Sequence, residues 1–171
     1  MLAVLLGALV VSGCADVPVA PPADPLAADV AYARAMIPHH EQALELSTLV
    51  GGRSADPRVA ELALRIDRAQ VEEVGQLQGL LRSWGRDPAG AMGPGMDGMA
   101  SPETLARLGA SSGQAFDRLW LETMIAHHEG AMAMARGHLA TGTDATLRRF
   151  SETVVRSQGQ EIDMMRGVLG T

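Results

Sequence analysis

The chain has 171 residues, 47% of them hydrophobic and only 3% aromatic, with a net charge of −6. That length suffices for one domain with a sizeable core, which Leu, Ala, Val and Met must fill for want of aromatics. The acidic balance excludes a nucleic-acid binder, because phosphate contacts need a basic face.

Residues 1–13 (MLAVLLGALVVSG) form an apolar run too short to span a bilayer as a helix. The run ends in Val11-Ser12-Gly13-Cys14, which resembles the lipobox of bacterial lipoproteins, with Cys14 as the residue that would carry the lipid. Cys14 is the only cysteine, so no internal disulfide can form. The expectation is an exported chain tied to a membrane through Cys14, in the periplasm or at the extracellular surface. A plain secretory signal with an incidental cysteine is the alternative. Residues 14–25 are Pro-rich and read as a tether that lifts the following domain off the membrane.

From residue 26 onward the pattern is helical, and strand signals are absent. Met36, His39, His40, Ala43 and Ser47 recur at helical spacing and share one face. Gly51-Gly52 ends this first helix. Pro38 inside it either kinks it or marks its real start. Asp56-Pro57 starts a second helix, with Asp as N-cap and Pro at the first position. Its stripe is Leu62, Ile66, Gln70, Glu73, Val74, Leu77 and Leu81, and it runs to about Trp84-Gly85. Residues 86–112 begin with a segment crowded with Gly, Pro and Met, and read as a flexible linker holding Met92, Met96 and Met99.

The rest repeats the beginning. A helix over about 113–140 carries Met124, His127, His128, Ala131 and Ala135 on one face. A second, over about 144–169 with Thr143 or Asp144 as N-cap, carries Phe150, Val154, Gln158, Glu161, Ile162, Met165 and Leu169. MIPHHEQALELS (36–47) and MIAHHEGAMAMA (124–135) are identical at six of twelve positions. The same gapless offset of 88 aligns Arg68 with Arg156, Gln70 with Gln158, Glu73 with Glu161, Gly79 with Gly167 and Leu81 with Leu169. One shift serving two separate segments indicates a duplicated unit. Two αα-hairpins, residues 26–85 and 113–171, each with an apolar face it cannot bury alone, predict an all-α antiparallel four-helix bundle.

The duplication keeps His39-His40-Glu41 and His127-His128-Glu129, four of the five histidines of the chain. Neutral imidazole is the commonest protein metal ligand, and two packed helices could bring four of them near one axis. A structural role, with each His bridging helices by hydrogen bonds, is the competing reading. Gln70, Glu73, Gln158 and Glu161 interrupt otherwise apolar stripes, where a carboxylate is costly unless paired. They, with Glu41 and Glu129, would orient the histidines or ligate directly. Met36 and Met124 stand three residues before each His pair, and thioethers select Cu(I) or Ag(I) over harder ions. Met134 with His138, and Met92, Met96 and Met99 in the linker, are candidates for auxiliary soft sites.

An enzyme reading meets gaps. A di-iron bundle uses Glu-x-x-His on paired helices, but Met36 and Met124 stand where that Glu belongs. No catalytic residue is assigned, and a ferritin-like metal oxidase using the same His/Glu core stays as an alternative. A structural or interaction bundle without metal is another.

On the doubled M-I-x-H-H motif and the helix of I-x3-Q-x2-E-I type that follows each copy, the chain resembles the bacterial family catalogued as domain of unknown function 305. The likeness covers about residues 26–170. Unit one keeps Ile66, Gln70 and Glu73 but then has Val74, and unit two has Val154 in place of Ile. The resemblance implies a ferritin-like four-helix bundle and, for exported members, copper or silver binding outside the cytoplasm. Carried to matching positions it implicates His39, His40, His127 and His128, with Met36 and Met124 nearby. The expected function is therefore copper binding, buffering or delivery, with Cu(I) favoured and Ag(I) or another transition metal as alternatives.

Overall fold

The structure, a computed structural model, describes residues 24–91 and 96–170. These form five helices and no strand: α1 (Ala27–Thr48), α2 (Pro57–Ser83), α3 (Pro102–Gly109), α4 (Gly113–Thr141) and α5 (Ala145–Leu169). The four long helices are those expected from the apolar periodicity. Asp56 caps α2 by accepting from Arg58 N–H, and Asp144 caps α5 by accepting from Thr146 and Leu147 N–H. The short α3 lies within the expected linker. Ser101 caps it, accepting from Thr104 N–H, Pro102 opens it, and its Leu108 is fully buried.

Helices α1 and α2 pair as one hairpin, α4 and α5 as the other, and α1 packs against α4 in the middle. Three contacts show that α1 and α4 are antiparallel. Asp29, near the start of α1, meets His138 near the end of α4, the His39 and His127 rings meet halfway, and Trp120 Nε1–H donates to the Leu46 carbonyl. The hairpins are thus related by an approximate two-fold axis passing between His39 and His127.

Two aspartates lock this arrangement. Asp29 accepts from the backbone N–H of Thr143 and Asp144, each at 3.1 Å. Asp117, its mate at the offset of 88, accepts from the N–H of Ala55 and Asp56, also at 3.1 Å. Each unit therefore binds the backbone donors of the two residues that lead into the other unit's second helix. The repeat offset relates the two residues, but neither stood out in the sequence, because a lone Asp near a helix start reads as a solvated charge.

Pro38 does not start α1; the helix runs through it. A proline lacks the N–H that would bond the carbonyl four residues back. That carbonyl, on Arg34, accepts instead from Ala91 N–H at 2.9 Å, so the chain after α2 is fastened to the interruption in α1.

The core is two apolar clusters with a polar layer between. One gathers Leu46, Val59, Ile66, Phe116, Trp120 and Met124 towards the end of α1. The other gathers Tyr32, Met36, Leu77, Leu147, Phe150 and Val154 towards its start. Between them lie His39, His40, Gln70, His127, His128, Gln158 and Glu161, all buried, with Glu73 half-buried.

Candidate metal centre

The polar layer arises because each His-His pair sits mid-helix, where adjacent side chains diverge by about 100°. One imidazole of each pair points to the other hairpin and one to its own second helix. His40 Nε2–H donates to Glu73 Oε2 at 2.7 Å, and its mate His128 Nε2–H donates to Glu161 Oε2 at 2.9 Å. His39 and His127 face each other across the axis, ring centroids 3.9 Å apart and planes tilted by 42°. The rings within each pair are more than 6 Å apart, at 6.5 Å for His39–His40 and 6.3 Å for His127–His128.

The acceptors decide which ring nitrogens are free. Carboxylates hold the proton of His40 and His128 on Nε2, and the Asp97 carbonyl, at a long 3.4 Å, does so for His39. Each of these three rings therefore keeps its lone pair on Nδ1, buried and without a protein partner. His127 has neither nitrogen partnered. The side-chain amides of Gln70 and Gln158 are likewise buried without partners. Unpaired buried polar atoms are costly and uncommon. Here they sit at matched positions of both units in one layer, which fits a polar guest. The donors are neutral nitrogens with carboxylates behind two of them, the arrangement in which an outer carboxylate raises imidazole basicity towards a metal. Among the described residues, no three His, Cys, Asp or Glu side chains already stand in ligand geometry.

Burial, with the charges that neighbouring imidazoles would carry, lowers His39 from 6.5 to about 4 and pushes His127 well below its usual value. Both rings are therefore neutral, the ligating form, at physiological pH.

A strap closes this site on one side. Gln42, just past the first His pair, clasps Ala100 through both halves of its amide, donating to the carbonyl at 2.9 Å and accepting from the N–H at 2.7 Å. Its mate is Gly130, and a Cβ there would run into the Asp97 carbonyl oxygen. Gly98 takes φ +85 while lying against the Ala126 carbonyl, a conformation and closeness that suit only glycine. Gln42 and Gly130 differ between the repeats because a single strap crosses both helices. Neither was recognised in the sequence, and the departure from the repeat at this pair was the available signal.

Several expected site residues lie elsewhere. Glu41 and Glu129 are exposed, one helix step beyond the buried histidines, and Glu129 pairs with Arg166 at 2.9 Å; they do not join the centre. His138 is not an auxiliary ligand. Its Nε2–H donates to Asp29 at 2.9 Å, its Nδ1 lies within hydrogen-bond distance of the Ser151 hydroxyl at 2.8 Å, and its ring stacks on Tyr32. Met134 is half-buried beside the apolar cluster near Tyr32. Met36 and Met124 are fully buried in the two clusters that bound the polar layer. Met96 and Met99 are half-buried in the seated strap rather than exposed on a loose linker. Met92 and Cys14 fall outside the described residues.

Residues 29–169 match the family described as Domain of unknown function (DUF305). The chain belongs to that family. Among solved structures, a DUF305 protein from Streptomyces coelicolor described as secreted is 34% identical, with a TM-score of 0.78 over 84% of this chain and 92% of that one. A DUF305 fragment from Deinococcus radiodurans is 36% identical, with a TM-score of 0.77 over 88% and 99%. CopM in its Cu(I)-bound form is 26% identical, with a TM-score of 0.67 over 81% and 93%; Ag-bound and Cu(II)-bound forms match at 25%. The uncharacterized protein L153 of Acanthamoeba polyphaga mimivirus is 36% identical over 53 residues, 31% of this chain and 35% of that relative. The chain thus aligns with about a third of that protein's length. No described helix is long and apolar enough to cross a membrane.

Proposed function

We propose that this DUF305 protein binds a soft transition-metal ion, Cu(I) or Ag(I), between His39 and His127, and buffers or delivers it outside the cytoplasm. The observation that carries the reading is the facing pair of buried, neutral imidazoles on the axis, with unpartnered nitrogens on both rings. Cu(I) and Ag(I) accept two nitrogen donors in a near-linear arrangement, so two axial imidazoles that swing apart to admit the ion would serve them, whereas Zn(II) asks for four ligands. His40 and His128 are the next nearest imidazoles, each oriented by its glutamate, and Met36 and Met124 lie one turn away with a soft sulfur. The copper- and silver-bound forms of CopM support the choice of ion. The lipobox-like end at Cys14 and the secreted relative support export with a lipid anchor.

Competition titrations under anaerobic, reducing conditions test the reading. Cu(I) and Ag(I) should bind more tightly than Zn(II), and His39→Ala combined with His127→Ala should abolish tight binding. A folded double variant that binds as before would make the histidines structural, and a preference for zinc would remove the soft-metal assignment. Replacing Cys14 with Ser should release the chain from the membrane fraction; unchanged partitioning would remove the anchor.

A further inference from the structure

The two-fold axis generates two clefts along the seam of α2 and α5, and they are not alike. One, about 780 Å³, is lined by Glu72, Glu73, Phe150, Thr153, Arg149 and Gln76 among others. Its mate, about 270 Å³, is lined by the residues 88 positions away, with Arg65 in the place of Thr153, Glu61 in that of Arg149 and Met164 in that of Gln76. Arg65 makes the difference. Its guanidinium lies 3.8 Å from Glu161 and 3.7 Å from the Met164 sulfur, so it fills the cleft and covers the second glutamate. Thr153 is too short to do this, and Glu73 lines the larger cleft directly. The side chain of Glu73 is accordingly 14% exposed, against 6% for Glu161.

Charge follows the same division. The larger cleft sets the two carboxylates of Glu72 and Glu73 against Arg149, while the smaller sets Arg58 and Arg65 against Glu61. A cation is drawn to the first and repelled from the second. The floor of the first also leads inward. Glu73 holds His40 at 2.7 Å, and the Phe150 ring lies 6.5 Å from the His40 ring. On the strap side the axis is covered by residues 97–100, seated by Gln42 and Gly130.

We infer that the cleft between Glu73 and Thr153 is the port through which a monovalent metal cation reaches the buried histidines, and that Arg65 closes the equivalent port of the other unit. This rests on the metal-binding reading for the identity of the traveller, but the asymmetry of access belongs to the metal-free fold. Glu73 is the half-buried carboxylate at the inner end of the route, and passage requires that it release His40 and shift aside with Phe150, with no covalent bond made or broken.

Two substitutions exchange the clefts' characters. Thr153→Arg installs the plug in the open cleft, and Arg65→Thr removes it from the closed one; both positions are exposed, so the core is untouched. Uptake is followed by rapid mixing with Ag(I) and a chromophoric competitor, and access in the metal-free protein by C2–H deuterium exchange of each imidazole. Thr153→Arg should slow Ag(I) uptake about tenfold at unchanged equilibrium affinity and slow exchange at His40. Adding Arg65→Thr should restore uptake and speed exchange at His128. Unchanged uptake together with unchanged His40 exchange in Thr153→Arg would overturn the port. If the wild-type histidines bind no Ag(I), the metal reading fails, and the His40 and His128 exchange rates alone decide whether this cleft is the open one.

Discussion

The two hairpins agree where they meet at the axis and differ at the ends and sides of the bundle. His39 and His127, His40 and His128, Glu73 and Glu161, and Gln70 and Gln158 occupy equivalent places in both units, in one layer on or near the axis. At the ends of the bundle the units part. Asp29 holds His138 as well as two backbone donors, whereas Asp117 faces a position where Val50 replaces the histidine, and its Oδ1 has no partner. At the sides, Gln42 corresponds to Gly130 and Thr153 to Arg65. The shared layer is what two copies can build together, and the unshared residues give the molecule a fixed covered face and an open one.

The ends of the bundle give the largest test of that contrast. Asp29→Ala removes the acceptor of a buried imidazole and of Thr143 and Asp144, so it should destabilise the fold by about 3–5 kcal/mol in urea unfolding. Burial alone would raise the Asp29 carboxyl, but the bonds from His138, Thr143 and Asp144 outweigh it and hold it below the usual range. Asp117→Ala loses only the two backbone donors and should cost about 1–2 kcal/mol. Equal losses would mean that His138 adds nothing to the lock.

A smaller effect separates the axial pair from the rest of the layer. His39 is held at about 4 in the folded, metal-free protein, against 6.5 in the unfolded chain. Between those values the unfolded state binds a proton that the folded state refuses, so stability falls as the pH drops from about 6.5 to 4. The His39 contribution is about 3 kcal/mol across that window. His39→Gln should make the profile shallower there, leaving the share that His127 contributes, and a profile with the same slope in that variant would show that the His39 ring is not buried neutral.

The smallest effect concerns the outer carboxylates, where the units should behave alike. Glu73→Gln and Glu161→Gln each keep shape and remove the charge that supports an imidazole, a change that typically weakens metal binding about 10- to 100-fold. The two losses should agree within about threefold in Ag(I) titrations. A large loss at one position only would place the ion in one hairpin rather than between them.

Most of the fold was legible because the repeat offset and the helical periodicity constrain each other. The stripes through Met36–His40 and Met124–His128, and the caps at Asp56 and Asp144, stand where the sequence placed them. Less of the site was legible. A histidine on a helix face looks the same whether its partner is a metal, a glutamate or an aspartate 109 residues away, which is why His138 read as a ligand. Glu41 and Glu129 belong to the repeated motif, yet one helix step carries them to the solvent. Gly and Pro favour irregular chain, which makes the strap look loose in the sequence, but irregular chain can still be seated, here by the Gln42 amide and the space at Gly130. The Arg65–Thr153 exchange was visible at the offset of 88, but its meaning needed the cleft it fills.

X-ray absorption on the Cu(I)-loaded protein, comparing wild type with His39→Ala combined with His127→Ala, decides whether these imidazoles hold the ion. Wild type should show imidazole nitrogen scattering around copper, and the double variant should lose it. Copper surrounded by sulfur alone, or an imidazole signal that survives both substitutions, would contradict the histidine site.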